Sequence, residues 1–295
     1  AADSHPIVAR RILKAKQKGA KIIVCDPRVI ESARIADIHL QMKNGSNMAL
    51  VNAMLHVLIE ENLYNKEYVE NNYIVMCTRE GIIKKTKLEA YSRPRQNGVN
   101  AITVKEGDQL IDANLTSGRA DIIIAAREGK AIRFPEEKVR PIGRTGAGVR
   151  AITIEGDDRV VGMICMEPES ANDILVLSEN GYGKRTDLDA YRTTNRGGKG
   201  VKTMQVTAKT GRLVSIQSVS DEYDLMIITR NGTAIRTAAS DIRLAGRATQ
   251  GVKVINLRAG DSIASVMAVP KSEEPEGESD GTIIAVEENG GKHEE

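Results

Sequence analysis

The sequence is poor in aromatic side chains: its 295 residues include no Trp, one Phe (Phe134) and seven Tyr. Proteins that bind single-stranded nucleic acid by base stacking need aromatic platforms, so the composition disfavours that class. Contact with the phosphates of a duplex needs only cations and backbone amides. Duplex binding therefore remains open.

Cysteine is also scarce, and long hydrophobic runs are absent. Cys25, Cys77 and Cys165 each lie in an apolar run, without a C-x-x-C motif. We interpret them as buried, reduced thiols, which argues against a disulfide framework or a zinc site. No signal peptide is recognisable at the start, and no apolar run reaches the roughly 18 residues of a membrane helix. We therefore expect a cytoplasmic protein without a membrane partner.

Charge is unevenly distributed, although the whole chain carries only +2. Residues 271–295 hold nine acidic residues and two lysines, whereas 74–270 carry a net charge of +7. A basic centre followed by an acidic end is typical of nucleic-acid-binding proteins.

Residues 1–73 show the alternation of a small α/β domain. Helical periodicity, then short apolar runs, predict helix 5–18, strand 20–25, helix 29–36, strand 37–41 and a helix from Ser46 or Asn47 to Glu61. In the last helix the apolar spacing predicts inward-facing Met48, Val51, Leu55 and Leu58. Such an order is typical of a parallel, Rossmann-like sheet.

Asp26 follows the first predicted strand, in the sequence Asp26-Pro27-Arg28. An acid at the carboxyl end of a strand can reach a nucleotide ribose or base. The same residues also form an ordinary strand-terminating turn. The spacing leaves both readings open, with the turn favoured.

The segments Gly19–Arg28, Ala33–Asp37 and Lys43–Asn47 resemble the molybdopterin-binding catalytic chain of formate dehydrogenase, and the resemblance covers residues 1–73. It implies that Asp26 and Arg28 approach a molybdopterin guanine dinucleotide. The chain has no cysteine quartet for an iron–sulfur cluster and no metal-ligating Cys loop, so we expect the site to be incomplete. We therefore predict no bound cofactor, no metal and no formate oxidation.

Residues 74–270 contain four repeats, 74–121, 122–173, 174–224 and 225–270. Their turn glycines, Gly81, Gly129, Gly181 and Gly232, are 48, 52 and 51 residues apart. Glu-Gly or Asn-Gly between β-rich runs predicts a hairpin in each repeat. Each repeat has about four short strands, so we predict a mainly β, propeller-like array of four blades.

Every repeat carries cations after its turn and then a glycine-containing loop. The loops are 92–99, 142–149, 194–201 and 245–252, of which Arg196-Gly197-Gly198-Lys199-Gly200 is the richest. Equivalent loops on equivalent blades predict a curved basic rim for the phosphates of a bent duplex. The predicted DNA-binding residues are Lys84, Lys85, Arg93, Arg95, Arg133, Arg144, Arg150, Lys184, Arg185, Arg192, Arg196, Gly197, Gly198, Lys199, Gly200, Lys202, Arg236, Arg247 and Lys253.

The pieces Gly81–Thr86, Asp112–Gly118, Asn180–Thr186 and Gly246–Val252 resemble the C-terminal domain of the DNA gyrase A protein. That resemblance implies a β-pinwheel that wraps duplex DNA and so supports ATP-dependent negative supercoiling by the holoenzyme. Residues 196–200 match the last five positions of the family's Gln-Arg-Arg-Gly-Gly-Lys-Gly box, while Thr194 and Asn195 replace its first Gln and Arg.

The implied partners are duplex DNA, the gyrase A catalytic core and the gyrase B protein. Strand-cleavage and ATPase regions are absent, so we expect DNA binding without catalysis, in a cytoplasmic, nucleoid-associated protein. Tyr91, Tyr182 and Tyr191 are predicted to be packing residues. Two alternatives remain: a remnant of a formate dehydrogenase, or a propeller that binds proteins.

The acidic tail, residues 271–295, is predicted to be disordered over 271–280, with a short strand at 281–286. Its simplest role is solubility. A second hypothesis is that its acids compete with DNA for the basic rim, in which case deleting the tail tightens DNA binding.

Overall fold

The computed structural model describes residues 6–92 and 98–271. The chain divides into two units, 1–70 and 71–295, close to the predicted boundary. Over the described ranges, no helix is long and apolar enough to cross a membrane.

The N-terminal unit alternates helices with two short strands, as the sequence predicted. Helices α1–α4 are Pro6–Gln17, Glu31–Arg34, Asn47–Glu60 and Lys66–Asn71. Strands β1 (Ile23–Cys25) and β2 (Ile38–Leu40) pair in parallel, with Ile23 opposite Ile38. The α/β prediction for this unit is confirmed.

Helix α3 differs from its predicted packing. Met48 is 71% exposed, and Val51, Leu55 and Leu58 are between 41% and 49% exposed, so the prediction that they face inward is wrong. A sheet of two three-residue strands offers too little surface to cover a helix of 14 residues. For the same reason Cys25 is exposed, whereas Cys77 is buried as predicted.

The C-terminal unit is built of four antiparallel sheets, which we call blades 1 to 4. Its strands are β3 Tyr73–Thr78, β4 Ile82–Lys87, β5 Leu110–Thr116, β6 Asp121–Ala126, β7 Lys130–Pro135, β8 Val149–Arg150, β9 Val160–Met166, β10 Asp173–Ser178, β11 Tyr182–Thr186, β12 Val201–Lys202, β13 Leu213–Val219, β14 Tyr223–Thr229, β15 Ala234–Ala238, β16 Val252–Lys253 and β17 Ile263–Pro270. The strand orders are β5-β3-β4-β8, β9-β6-β7-β12, β13-β10-β11-β16 and β17-β14-β15. A 3₁₀ helix follows the second hairpin strand of each blade.

The outermost strand of blades 1 to 3 comes from the following repeat. Strand β8, from the second repeat, pairs with β4 of the first, with Ile82 opposite Arg150. Strands β12 and β16 pair with β7 and β11 in the same way. The sequence prediction had placed this strand in its own repeat. A repeat period fixes the interval between equivalent residues but not the sheet that each strand joins.

The two middle blades have central strands, β6 and β10, each with a continuous apolar run after a first Asp, because both of their faces are buried. In β6, Ile122 and Ile124 pack towards blade 1, while Ile123 and Ala125 pack towards blade 3. Strand β10 does the same, with Ile174 facing blade 2 and Leu175 facing blade 4. The core is therefore a series of three clusters, one between each pair of neighbouring blades.

The blades have a defined inner and outer edge. Strands β5, β9, β13 and β17, one from each blade, contact one another in succession, which places them at the inner edge. The short strands β8, β12 and β16 lie at the opposite ends of their sheets. The glycine loops 142–149, 194–201 and 245–252, which lead directly into these short strands, are thus at the outer edge.

Gly200 enters the short strand β12 at a position where only glycine fits. Its φ is +73°, and a Cβ atom there would lie 2.6 Å from the Ala131 carbonyl oxygen. Gly148 and Gly251 have the same conformation and the same close approach in the neighbouring repeats. The last loop glycine is therefore required by strand exchange, independently of any ligand.

We predict that Gly200→Ala destabilises the C-terminal unit by about 2 kcal/mol or more, because it combines a left-handed backbone with a clash against main chain. Thermal unfolding should show a midpoint lower by about 4 °C or more. Gly143→Ala is the matched control, since Gly143 has open space around its Cβ position. Equal midpoints for the two variants would contradict the conclusion that position 200 requires glycine.

Candidate nucleic-acid interface

The glycine loops of the second, third and fourth repeats are each attached at both ends to the blade before them. Thr193 forms a parallel bridge with Arg133 of β7, and β12 then returns to pair with the start of the same strand. Pro141 with Lys85, and Leu244 with Arg185, repeat this arrangement. The loops therefore project from three equivalent places along the outer edge.

Two loop arginines join neighbouring loops. Arg196 donates from Nε to the Lys138 carbonyl (3.0 Å) and from Nη1 to the Arg150 carbonyl (3.0 Å). Arg247 makes the equivalent bonds, to the Ala190 carbonyl (3.1 Å) and the Lys202 carbonyl. A guanidinium has five N–H donors, and both arginines are partly exposed. Each can hold the preceding loop and still donate to a phosphate.

Two predicted DNA contacts, Lys84 and Lys184, are instead internal anchors. Lys184 is fully buried and its ammonium donates to the carbonyls of Gly246 (2.6 Å), Arg247 (2.5 Å) and Thr249 (3.1 Å). Burial, with Arg247 nearby, lowers the pKa of Lys184 to about 8. Lys84, also fully buried, donates to the Ala101 carbonyl at 2.6 Å and to the Arg144 carbonyl. The fold uses both lysines to hold loops and presents neither at the surface.

In each blade, a cation on the second hairpin strand contacts a side chain near the start of the preceding strand. Arg133 pairs with Asp121 (2.6 Å), Arg185 with Asp173 (3.5 Å) and Arg236 with Asp224 (2.7 Å). In blade 1, buried Lys85 lies 4.7 Å from the centre of the Tyr73 ring and 3.4 Å from the Glu136 carboxylate. These four cations had been predicted to contact DNA. Each of them is paired with a carboxylate, including Arg236, whose side chain is 47% exposed, so we leave them out of the interface.

The exposed cations form a regular set on the outermost strands. Arg150, Lys202 and Lys253 occupy the same position in β8, β12 and β16, and all three are exposed. Arg192 is exposed beside the third loop, and Arg144 is partly exposed in the second. We call the set of Arg144, Arg150, Arg192, Arg196, Lys199, Lys202, Arg247 and Lys253 the outer rim.

Lys199, in the richest loop, is held by an acid that the sequence analysis missed. Its Nζ lies 2.6 Å from Glu155 Oε1, and both side chains are exposed. The hydrogen bond to Glu155 raises the pKa of Lys199, and the same bond lowers the pKa of Glu155. Glu155 therefore competes with any anion that approaches this loop.

Some backbone N–H and carbonyl groups of the same loop already form hydrogen bonds within the protein. The Gly197 N–H donates to the Ala151 carbonyl (2.6 Å), and the Gly198 carbonyl accepts from the Thr153 N–H (2.9 Å). These bonds fix the loop against the second repeat. The groups of this loop that can still bind a ligand are mainly the side chains of Arg196 and Lys199.

The Asp26 turn in the N-terminal unit is closed on itself. Asp26 Oδ1 accepts from the Arg28 N–H at 2.8 Å, which lowers the pKa of Asp26, and the Asp26 carbonyl lies 2.9 Å from His39 Nε2. The apolar cavity of this unit, about 550 Å³, is lined by Ile12, Leu13 and nine further residues that do not include Asp26 or Arg28. These contacts are those of a strand-terminating turn, and the dinucleotide role that the resemblance implies for Asp26 and Arg28 stays a prediction.

Two of the predicted packing tyrosines lie in the core, and several other predicted residues are not described by the structure. Tyr191 is buried, with its hydroxyl 2.5 Å from Thr203 Oγ1, and Tyr182 packs against the same cluster, as predicted for packing residues. Arg93, Arg95 and residues 272–295 lie outside the described residues. In the part of the chain that the structure covers, no group of three or more His, Cys, Asp or Glu side chains could hold a metal ion.

Blades with exchanged strands and a cationic outer edge define a β-propeller of the pinwheel type. A family described as "DNA gyrase C-terminal domain, beta-propeller" matches residues 72–117, 120–165, 172–220 and 223–270. This is more than half of the chain. The chain belongs to that family.

Known relatives agree with the assignment. The DNA gyrase A protein of Staphylococcus aureus is 42% identical over 216 residues in strain MRSA252 and 43% over 222 in strain NCTC 8325. The matches cover 73% and 75% of this chain and 24% and 25% of the relatives, so the chain spans about a quarter of their length.

Solved structures show the same fold. A DNA gyrase A C-terminal domain matches with a TM-score of 0.61 and 25% identity, over 69% of this chain and 68% of that one. The C-terminal domain of DNA topoisomerase IV matches with a TM-score of 0.65 and 24% identity, over 70% and 64%. Residues 1–71 lie outside the family match, and these relatives give no support to the formate dehydrogenase resemblance, which stays a prediction.

We predict that Lys184→Met destabilises the C-terminal unit by about 2 kcal/mol, because three loop carbonyls lose a charged donor. Hydrogen exchange at residues 246–251 should accelerate selectively. Lys202→Met, at an exposed position, is the control and should change stability by less than about 0.5 kcal/mol. Unchanged exchange in Lys184→Met would show that the loop does not depend on this anchor.

Proposed function

We propose that the C-terminal unit binds and wraps duplex DNA along the outer rim, without sequence specificity. The observation that carries the proposal is the recurrence of one exposed cation at the same position of three successive outer strands, Arg150, Lys202 and Lys253. Cations spaced along a convex edge suit the phosphates of a bent duplex, since phosphate contact requires no base recognition.

We further propose that the chain acts as the non-catalytic part of a DNA gyrase A protein, in a type II topoisomerase that introduces negative supercoils. The identity to gyrase A proteins supports this role. The proposed partners are duplex DNA, the gyrase A catalytic core and the gyrase B protein, and the proposed location is the cytoplasm, at the nucleoid. A chain of this kind would bind DNA and would not cut it.

The two other candidate functions are less well supported. A protein-binding propeller needs no repeated cation on its outer strands, and an oxidoreductase remnant would concern only residues 1–73. Indifference to duplex DNA at low salt would favour the protein-binding alternative.

We expect Arg150→Gln, Lys202→Gln and Lys253→Gln, combined in one variant, to weaken binding to a linear duplex. Each lost phosphate contact reduces the slope of log affinity against log salt by about 0.9, so the triple variant should lose a slope of about 2 to 3. The affinity would be measured by fluorescence anisotropy across a salt series.

Lys18→Gln serves as the control for the triple variant, because Lys18 is an exposed cation of the N-terminal unit. It should leave the slope unchanged. If the triple variant and the control have equal slopes, DNA does not contact the outer rim.

A second prediction concerns Glu155. Glu155→Gln should strengthen duplex binding at low salt and increase the salt slope by up to about 1, because Lys199 becomes available to a phosphate. The matched control is Glu106→Gln: Glu106 occupies the equivalent turn of the first repeat and is exposed. Equal gains in both variants would mean that only net charge matters and that the ion pair has no specific role.

A further inference from the structure

A second cluster of cations lies at the inner edge of the blades, away from the outer rim. A cavity of about 320 Å³ is lined there by Arg79, Arg127, Arg159 and Arg230, together with Glu179 and the beginnings of β5, β9, β13 and β17. Arg79, Arg127, Glu179 and Arg230 are equivalent residues, each two positions before the turn glycine of its repeat. The repeat itself therefore brings these side chains together.

Main-chain hydrogen bonds between blades fix these residues around the cavity. The carbonyl of Arg79 accepts from the Val160 N–H (2.9 Å), and that of Arg127 accepts from the Leu213 N–H (2.9 Å). The Glu179 carbonyl accepts from the Ile263 N–H at the same distance. Arg79, Arg127 and Glu179 are thus each held by the inner strand of the next blade.

The charges of this cluster are only partly balanced. Glu179 lies 3.6 Å from Arg127, and Glu128 lies 2.9 Å from Arg212. Within residues 6–92 and 98–271, no carboxylate lies within 4.0 Å of the guanidinium groups of Arg79, Arg159 and Arg230.

Arg159 lies close to several other arginines. Burial lowers the pKa of Arg159, and the nearby arginines 127, 79, 212 and 230 lower it further. Like charges brought together in this way repel one another. A multivalent anion in the cavity would relieve that repulsion at several arginines at once.

We propose that the inner cavity binds a compact oligophosphate, such as a triphosphate chain, either free or carried by a nucleotide. Guanidinium groups match phosphate oxygens with paired N–H donors. The volume is at the lower end of the range for small-molecule sites, about 300 Å³, and cannot admit a duplex. The proposal does not depend on DNA binding at the outer rim.

The test is calorimetric titration of the whole chain with inorganic triphosphate at constant ionic strength, about 0.15 M, where long-range charge effects are screened. We expect one saturable site. Arg159→Gln should weaken binding about tenfold or more, because a charged donor is lost. Its thermal stability should be equal or higher, because repulsion falls while the Arg159 main-chain bond to Arg127 is kept.

Lys202→Gln, an outer-rim variant, is the matched control and should bind triphosphate as the unmodified chain does. ATP is the second ligand: affinity equal to that of triphosphate means that the site reads the phosphate chain alone, and tighter binding means that it also contacts the nucleoside. Either result supports the proposal.

Three results would overturn it. They are binding that does not saturate, equal weakening by Arg159→Gln and Lys202→Gln, and binding of sulfate as tight as that of triphosphate at the same ionic strength.

Discussion

The architecture depends on one main-chain interaction, the pairing of each short outer strand with the blade of the preceding repeat. Strand β12 can reach β7 only because Gly200 accepts a left-handed backbone against the Ala131 carbonyl. The same kind of pairing places the glycine loops of the second, third and fourth repeats on the preceding blade, and Lys202 is exposed. Loop position, cation position and contact between blades are therefore consequences of a single exchange of strands.

Positive charge serves different purposes at different depths in this molecule. Lys84 and Lys184 replace water around loop carbonyls, and Arg133 balances the carboxylate of Asp121. A buried cation must be paired or well hydrogen-bonded to be tolerated. Arg150, Lys202 and Lys253, on the outermost strands of three sheets, have exposed side chains that can meet a ligand.

The four blades could be predicted from the sequence, whereas the exchange of outer strands and the exposure of the individual cations could not. Turn glycines and continuous apolar strands predicted four blades, because both reflect local geometry. Whether a cation faces solvent depends on which strand lies beside it. In the sequence, the only sign of these pairs was a regular interval: Asp and Arg at 121/133, 173/185 and 224/236 are each 12 residues apart. The predicted burial of one face of helix α3 was wrong for a different reason. An apolar face predicts burial only when enough structure exists to cover it.

The bonds from Arg196 to Arg150 and from Arg247 to Lys202 have a mechanical consequence. Each joins a loop to the strand that carries the neighbouring loop, across the boundary between blades. A force applied to one loop is therefore carried by two sheets through these hydrogen bonds. It does not pass through the apolar clusters between the blades. Tension along the outer edge would load this chain of polar bonds first and leave the packing of the core unchanged.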